Sequence, residues 1–399
     1  MKRRRRHRNN EKARSDGVPA TSVDDVPDDL LERILLRLDS PIRLIRVAST
    51  CKRWRGTIAG DDDGVAFLRR APSLHPPTIV GHYHKPVPVQ WNTPIEFIPT
   101  SPPVLPIADI RFSLGKFSMW QVVDVHDGLV LLRQRGLPLS LVVYDPLTRR
   151  SQKTSIAACS VLRDGFLLDG EDGNISVSNF RVLCRFHDGR CVQVLSSTNE
   201  SEDWRLLSAA SRVNHDVMST GRFAGRVDGS LYMGSPSGSL VVLDKASLEV
   251  SMVDLPGRAK TEHVPSKFLI VPCAGDESTS PRIVHTNGEV LEVFRHVRNG
   301  GDGEWALEHN ISRLSTRLPG YPEEHGRVGD FVTEGIESLL VVANDIGKGR
   351  LWCFSVSLNT MELTVVSESI YQRLKKAAFA YTLPWPKFMR ACLGPRSLG

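Results

Sequence analysis

His82 and His84 flank Tyr83 and would share one face of a strand, the nearest thing to a metal-ligand pair in this chain. No third ligand is evident nearby, so the segment reads as an ordinary exposed strand. Carboxylate pairs at Asp61–Asp63, Asp169–Asp172 and Glu323–Glu324 have the residue type for general acid–base work. Each sits in a turn-rich stretch, where a solvated loop is the default unless the fold draws in distant partners. Cys51 lies inside an apolar helical pattern and reads as a small buried hydrophobe rather than a nucleophile. The loop Gly234-Ser235-Pro236-Ser237-Gly238 is a tight turn rather than a phosphate cradle, because no lysine or helix follows it. Phosphate-loop, dinucleotide, nucleophile-elbow and zinc-protease motifs are all missing. The expectation is a chain with no catalytic residues, no metal and no cofactor, whose work is binding.

Composition bounds what could be bound. The 399 residues are 41% hydrophobic and 24% charged, the balance of an ordinary globular protein with two or three domains. No apolar run approaches the ~18 residues that span a bilayer, and no apolar segment follows the N-terminal charges as in a secretory signal. Seven cysteines, odd in number and without a CxxC pair, argue against a zinc site or disulfide framework and for the nucleus or cytosol. Of the net charge of +6, residues 1–14 supply +7, from eight Lys/Arg and one Glu, so the other 385 sum to −1. The basicity is therefore a tail. Lys2, Arg3, Arg4, Arg5 and Arg6 have the composition of a nuclear-import signal or a nucleic-acid arm. The near-neutral remainder argues against nucleic acid as the main partner.

Behind the tail, Val26 to Ile58 carries three short helical patterns. Pro27 suits a first helical position, and Asp28, Asp29 and Glu32 put negative charge against the helix dipole. Leu30, Leu31, Ile34, Leu35 and Leu38 form a broad apolar stripe. Ser40-Pro41 opens a second helix with Ile42, Ile45 and Ala48 along one face, leaving Leu44 and Val47 off it. Cys51 to Ile58 forms a third, carrying Trp54, with Gly60 placed to end it. Helices this short are marginal in water, and so small a module buries little surface. Its apolar surface needs cover from a partner helix or the following domain.

The same residues resemble an F-box. Val26-Pro27-Asp28-Asp29-Leu30-Leu31, then Ile34-Leu35, Leu38 and Cys51-Lys52-Arg53-Trp54-Arg55 follow that family's spacing over about 35 residues. Val26, Thr50 and Asp39 depart from the usual Leu, Val and Pro. The resemblance implies contact with a Skp-type adaptor, and through it a cullin. That contact would use Val26, Pro27, Leu30, Leu31, Ile34, Leu35, Leu44, Val47, Cys51 and Trp54. Trp54 would be its energetic centre.

Ten prolines between Pro72 and Pro106 exclude long helices and central strands there. Beyond residue 107, short apolar runs alternate with turns. Asp127-Gly128, Asp188-Gly189, Asp228-Gly229, Asn287-Gly288 and the degenerate Gly347-Lys348-Gly349 recur at steps of 61, 40, 59 and 61 residues. Such pairs between apolar runs mark hairpins, because a type I′ turn needs positive φ at both central residues. Second turns follow at Tyr144-Asp145-Pro146-Leu147-Thr148, Leu243-Asp244-Lys245-Ala246-Ser247 and Ser357-Leu358-Asn359-Thr360. Two hairpins per unit make a four-stranded blade, and the length allows about six blades, with five to seven open. Six tryptophans spread from Trp91 to Trp385 suit aromatics packed between blades. One or two β-sandwiches would use the same signals and remain the rival architecture. Stretches Trp120–Asp124, Val143–Arg149, Leu231–Pro256 and Tyr381–Pro386 also look like the F-box-associated propellers of plant families.

The expected organisation is α+β and multidomain: residues 1–22 a disordered basic tail, 23–62 a three-helix F-box, 63–106 a Pro-rich linker with first strands, and 107–399 an all-β propeller-like recognition domain. The expected function is the substrate-recognition subunit of an SCF-type E3 ubiquitin ligase, non-catalytic, in nucleus or cytoplasm, with a target protein the sequence does not name and no membrane partner. The alternative is a nuclear nucleic-acid-associated or scaffold protein using its Arg-rich tail. A propeller enzyme would need several Asp, Glu or His residues converging at the central channel.

Overall fold

The computed structural model describes residues 26–38, 41–59, 67, 70, 79–84, 95–99, 112, 114, 117, 119–134, 139–156, 162–171, 173–186, 192–196, 205–209, 222–227, 229–235, 238–257, 267–273, 280–286, 290–297, 304–317, 326–333, 338–345, 350–366 and 378–383. The chain divides into two compact units, Met1–Leu74 and His75–Gly399. Several expectations lie outside the described residues: the basic run Lys2–Arg6, Asp61–Asp63, Asp172, Asp188-Gly189, Asn287-Gly288, Glu323–Glu324, Gly347–Gly349 and the side chains of Ile42 and Ile45. No described helix is long and apolar enough to cross a membrane.

The first unit holds α1 (Asp28–Leu36), α2 (Pro41–Thr50) and α3 (Lys52–Ala59). Leu31, Leu35, Leu44, Ala48, Ile58 and Phe67 are its buried apolar residues. Pro27 is the N-cap of α1 rather than its first residue: ψ of 149° keeps it extended, and its carbonyl accepts the Leu31 N–H at 2.9 Å. Leu44 is buried together with Ala48, not left off the packed face. Residues four apart on a helix differ by only about 40° in direction, so the pair forms one stripe.

The second unit opens with β1 (Ile79–His84) and β2 (Glu96–Pro99). Four-stranded antiparallel sheets follow: β3–β6 (Trp120–His126, Leu129–Gln134, Leu139–Tyr144, Ser151–Ile156) and β7–β10 (Leu162–Asp169, Phe180–Phe186, Val192–Ser196, Arg205–Ala209). Next come β11–β14 (Arg222–Val227, Ser230–Gly234, Ser239–Asp244, Val250–Asp254) and β15–β18 (Lys267–Pro272, Pro281–Thr286, Val290–Val297, Glu304–Ser312). Then come β19–β22 (Gly326–Thr333, Ser338–Asp345, Arg350–Ser357, Leu363–Val366) and β23 (Ala378–Thr382). The sheets β11–β14 and β15–β18 join through a parallel pair at Gly225 and Ile270. Gly225 permits this approach, since a Cβ there would strike the Ile270 carbonyl.

These sheets form a propeller-like ring. The first strands lie against one another in sequence, β3 by β7, β11 by β15 and β15 by β19. Arg226 of β11 donates to the Leu167 carbonyl of β7 at 3.3 Å, completing the series. The ring closes through a composite blade ordered β2-β1-β23, whose β23 lies between β19 and β3. Among the described residues this makes six blades, five four-stranded and one of three strands from distant parts of the chain. Apolar clusters fill the gaps between consecutive blades. Leu131 and Val143 meet Leu167 and Val182; Leu168 and Leu183 meet Leu231 and Val241. Val227 and Leu240 meet Ile283 and Phe294, and Val284 and Val293 meet Val341 and Phe354.

Strand β1 is not an exposed strand. It sits between β2 and β23, and His82 and Tyr83 are buried. Tyr83, Phe97, Phe112 and Tyr381 form one aromatic cluster with ring distances of 4.8–6.3 Å, and the Tyr83 hydroxyl donates to the Phe112 carbonyl at 3.0 Å.

The irregular turn spacing also has a cause. Asp127 (φ 44°) and Gly128 (φ 76°) connect the first two strands of their blade, as Gly229 (φ 75°) does in the third. The Asx-Gly pairs near residues 188 and 287, and the degenerate pair near 348, instead fall between second and third strands. The Asx-Gly series thus spans two different connections of the blade. The other turn series is uniform. In the first, third and fifth blades the turn after the third strand starts at Asp145, Asp244 or Ser357, and that side chain accepts backbone N–H groups of the turn. The residue four further on, Arg149, Leu248 or Met361, adopts left-handed φ of 56–59° and bonds back to the same residue's carbonyl.

His285 of β16 and Glu292 of β17 face each other across the strands, 3.3 Å apart and buried. Burial lowers the imidazole pKa, and Glu292 only partly offsets that. A His whose folded pKa is depressed stabilises the fold above its unfolded value of about 6.5 and costs stability as pH falls through it. The urea midpoint is therefore expected to drop between about pH 7.5 and pH 5.5. His285→Gln should flatten that slope; an unchanged slope would assign it to other groups.

Candidate functional site

The helical unit presents two adjacent stripes on α1. Leu31 and Leu35, one turn apart, point inward, while Leu30 and Ile34 are 45% and 54% exposed. At 100° per residue these stripes are neighbours, and exposed Pro27 extends the outer one at i, i+3, i+7 spacing. The result is an apolar strip facing solvent on a unit of three short helices.

Polar contacts hold that strip in place. The Arg53 guanidinium of α3 donates to the Val26 carbonyl and to Asp28 Oδ1, with Nε at 2.9 Å, pinning the start of α1. Arg70 pairs with Glu32 on the same helix. Cys51 is half-exposed and caps α3, its Sγ accepting the Trp54 N–H at 3.4 Å. It is therefore not the buried filler that its place in an apolar pattern suggests.

Of the ten residues expected at an adaptor contact, Pro27, Leu30 and Ile34 are exposed, and Val26, Val47, Cys51 and Trp54 are half-buried. Leu31, Leu35 and Leu44 are buried within this chain. Spacing alone gave all ten the same standing, because F-box-like periodicity does not separate inner from outer stripe.

Charged residues do converge on the inner strands of the propeller-like ring. Asp124 of β3 accepts the Leu167 N–H at 2.6 Å and pairs with Arg226 of β11, linking three blades. Asp169, ending β7, accepts from Lys245 Nζ at 2.9 Å and lies 3.2 Å from His126 Nε2. Arg181 bridges the Asp169 and Lys245 carbonyls, each at 2.8 Å. Burial pushes the Asp169 carboxyl up, but the His126 and Lys245 bonds outweigh it and hold its pKa well below the carboxylate range. Burial and then Arg226 lower His126. Both carboxylates are thus committed to cations and backbone, so the cluster acts as a strut between blades. Among the described residues no group of three His, Cys, Asp or Glu could hold a metal ion. In sequence Asp169 reads as a carboxylate of a solvated loop, but it ends β7 and is tied to Lys245 and His126; the rest of the cluster went unread, and its signal was a charge inside an apolar strand, as at Val122-Val123-Asp124-Val125.

Comparisons with known proteins fall on these two units. An F-box-like family model matches residues 23–62, and the model "F-box protein AT5G49610-like, beta-propeller" matches residues 121–317. No curated protein matches the chain. Among solved structures, a Saccharomyces cerevisiae Dbp5 variant bound to Nup159, a Gle1 variant, IP6 and ADP is similar at 13% identity and TM-score 0.33, over 73% of this chain and 66% of that one. A putative exported protein of Bacteroides fragilis gives 13% and 0.36, over 64% and 74%. A Bacteroides thetaiotaomicron protein of unknown function gives 11% and 0.35, over 63% and 59%. Nothing further follows from likenesses at that level. The three-helix unit thus holds an F-box-like domain at residues 23–62, and the ring of sheets holds a region at 121–317 that matches the β-propeller of an F-box protein family.

Proposed function

We propose that the chain is the substrate-recognition subunit of an SCF-type E3 ubiquitin ligase. The strip Pro27-Leu30-Ile34 would dock on a Skp-type adaptor, and through it a cullin, while the β unit binds a target protein. The chain itself would break no bond; it would raise the effective concentration of target beside the transfer machinery. It would work in the nucleus or cytoplasm, with Lys2–Arg6 supplying an import signal.

The observation that carries the reading is the pair Leu30 and Ile34, exposed on a module that matches an F-box-like family. Large side chains left in water on a folded helix cost solvation that a partner's groove would recover. Leu30→Asp combined with Ile34→Asp is expected to leave the helices folded and to cut adaptor recovery in a pull-down by roughly tenfold or more. Full recovery with both charges in place would overturn the reading. Leu35→Ala is the contrasting variant, since it acts through the module's core and should lower helicity as well.

A further inference from the structure

Pro27 opens the exposed strip, yet as N-cap of α1 it offers no side-chain acceptor to the helix. Its position is instead held from both sides by one residue. The Arg53 guanidinium donates through Nη2 to the Val26 carbonyl and through Nε, at 2.9 Å, to Asp28 Oδ1. Nη2 also reaches that Oδ1 at 2.6 Å. A rigid planar fork thus grips the residues before and after Pro27. Helix stability alone would not select this grip. Arg53 lies in the first turn of α3 and beside the first turn of α1, so its charge faces the positive ends of both helix dipoles. Asp28 opposes that charge, but its side chain is 81% exposed, where an ion pair adds little to stability. What the contact does supply is geometry, because it ties the start of the strip to the helix that carries Trp54.

We infer that Arg53 is a positioning residue that presets the strip for its partner, acting through Pro27 rather than by touching the adaptor. With the clasp closed, Pro27 stands in line with Leu30 and Ile34 before the adaptor arrives, and the cost of ordering the entry into α1 is already met. With it open, Val26 and Pro27 sample other directions, and binding must order them again. The inference rests on the reading of the strip as a Skp-type adaptor site.

The purified full chain is titrated against a recombinant Skp-type adaptor by isothermal calorimetry. Arg53→Ala is expected to weaken binding roughly tenfold. Arg53→Lys, a point charge that reaches one acceptor at a time, should recover part of that loss. Lys52→Ala removes the same charge from the exposed neighbour and should bind like the parent. In a Pro27→Ala background, Arg53→Ala should cost about threefold or less, because the ring through which it acts is gone. Hydrogen exchange across Leu31–Leu38, read by mass spectrometry, should match the parent in every variant and so verify that the module stays folded. Parent-like affinity for Arg53→Ala, the same loss with and without the Pro27 ring, or loss of α1 protection in step with affinity would each overturn the inference. Any of these beside normal binding by the parent chain sinks this inference alone. An adaptor that the parent chain does not bind sinks the ligase reading and this inference together.

Discussion

Tyr381→Ala is expected to cost the β unit about 3–5 kcal/mol, as for other buried aromatics cut back to Ala. Tyr381 is fully buried on β23 and contacts the rings of Tyr83, Phe97 and Phe112. Its hydroxyl donates to the Gly128 carbonyl at 3.2 Å, a bond from the closing strand to the first hairpin of the ring. Tyr381→Phe removes that bond alone and should cost about 1–2 kcal/mol. Since total stabilities run near 5–15 kcal/mol, the Ala variant should shift the urea midpoint far more than the Phe variant. Tryptophan fluorescence is a suitable readout, because six of the seven tryptophans follow residue 75. Equal midpoints for Ala and parent would mean that β23 does not close the ring.

The second large effect is expected at the strut. Asp124→Ala leaves the Arg226 guanidinium, mostly buried, without its carboxylate and the Leu167 N–H without its acceptor. Removing one partner of such a pair costs about 3–5 kcal/mol, chiefly through the stranded charge. Arg226→Leu in the same background removes that charge, so the double variant should recover part of the loss. A double-mutant cycle in urea measures the coupling, expected at about 1–3 kcal/mol. Strict additivity of the two single costs would show that the pair carries no coupling across the blades.

The helical unit was legible in outline, because its signals are local: Pro27, the broad leucine stripe and Trp54 fall within one short stretch. The four-strand repeat was legible through its turns, since Asp127-Gly128 and the Asp145 and Asp244 turns need residue types that few other settings demand. What the turns did not reveal was which connection of the blade each occupied, and hence the step of 40 between two of them. Contacts over long separations were not legible at all. Asp124 and Arg226 are 102 residues apart, and His82 reads in sequence as part of an exposed strand because the strand that covers it, β23, lies some 300 positions later. Alternation along a strand reports that it has two faces. It does not report what will cover them.

The composite blade has a consequence for synthesis. Strand β1 leaves the ribosome some 300 residues before β23, the strand that pairs with its second edge. The five intervening blades therefore emerge with one edge of β1 unpaired, and with β3 and β19 not yet covered by β23, until that segment arrives. Any chain cut short before residue 378 would keep that edge of β1 bare, ready to pair with a neighbour's edge or to be seized by a chaperone.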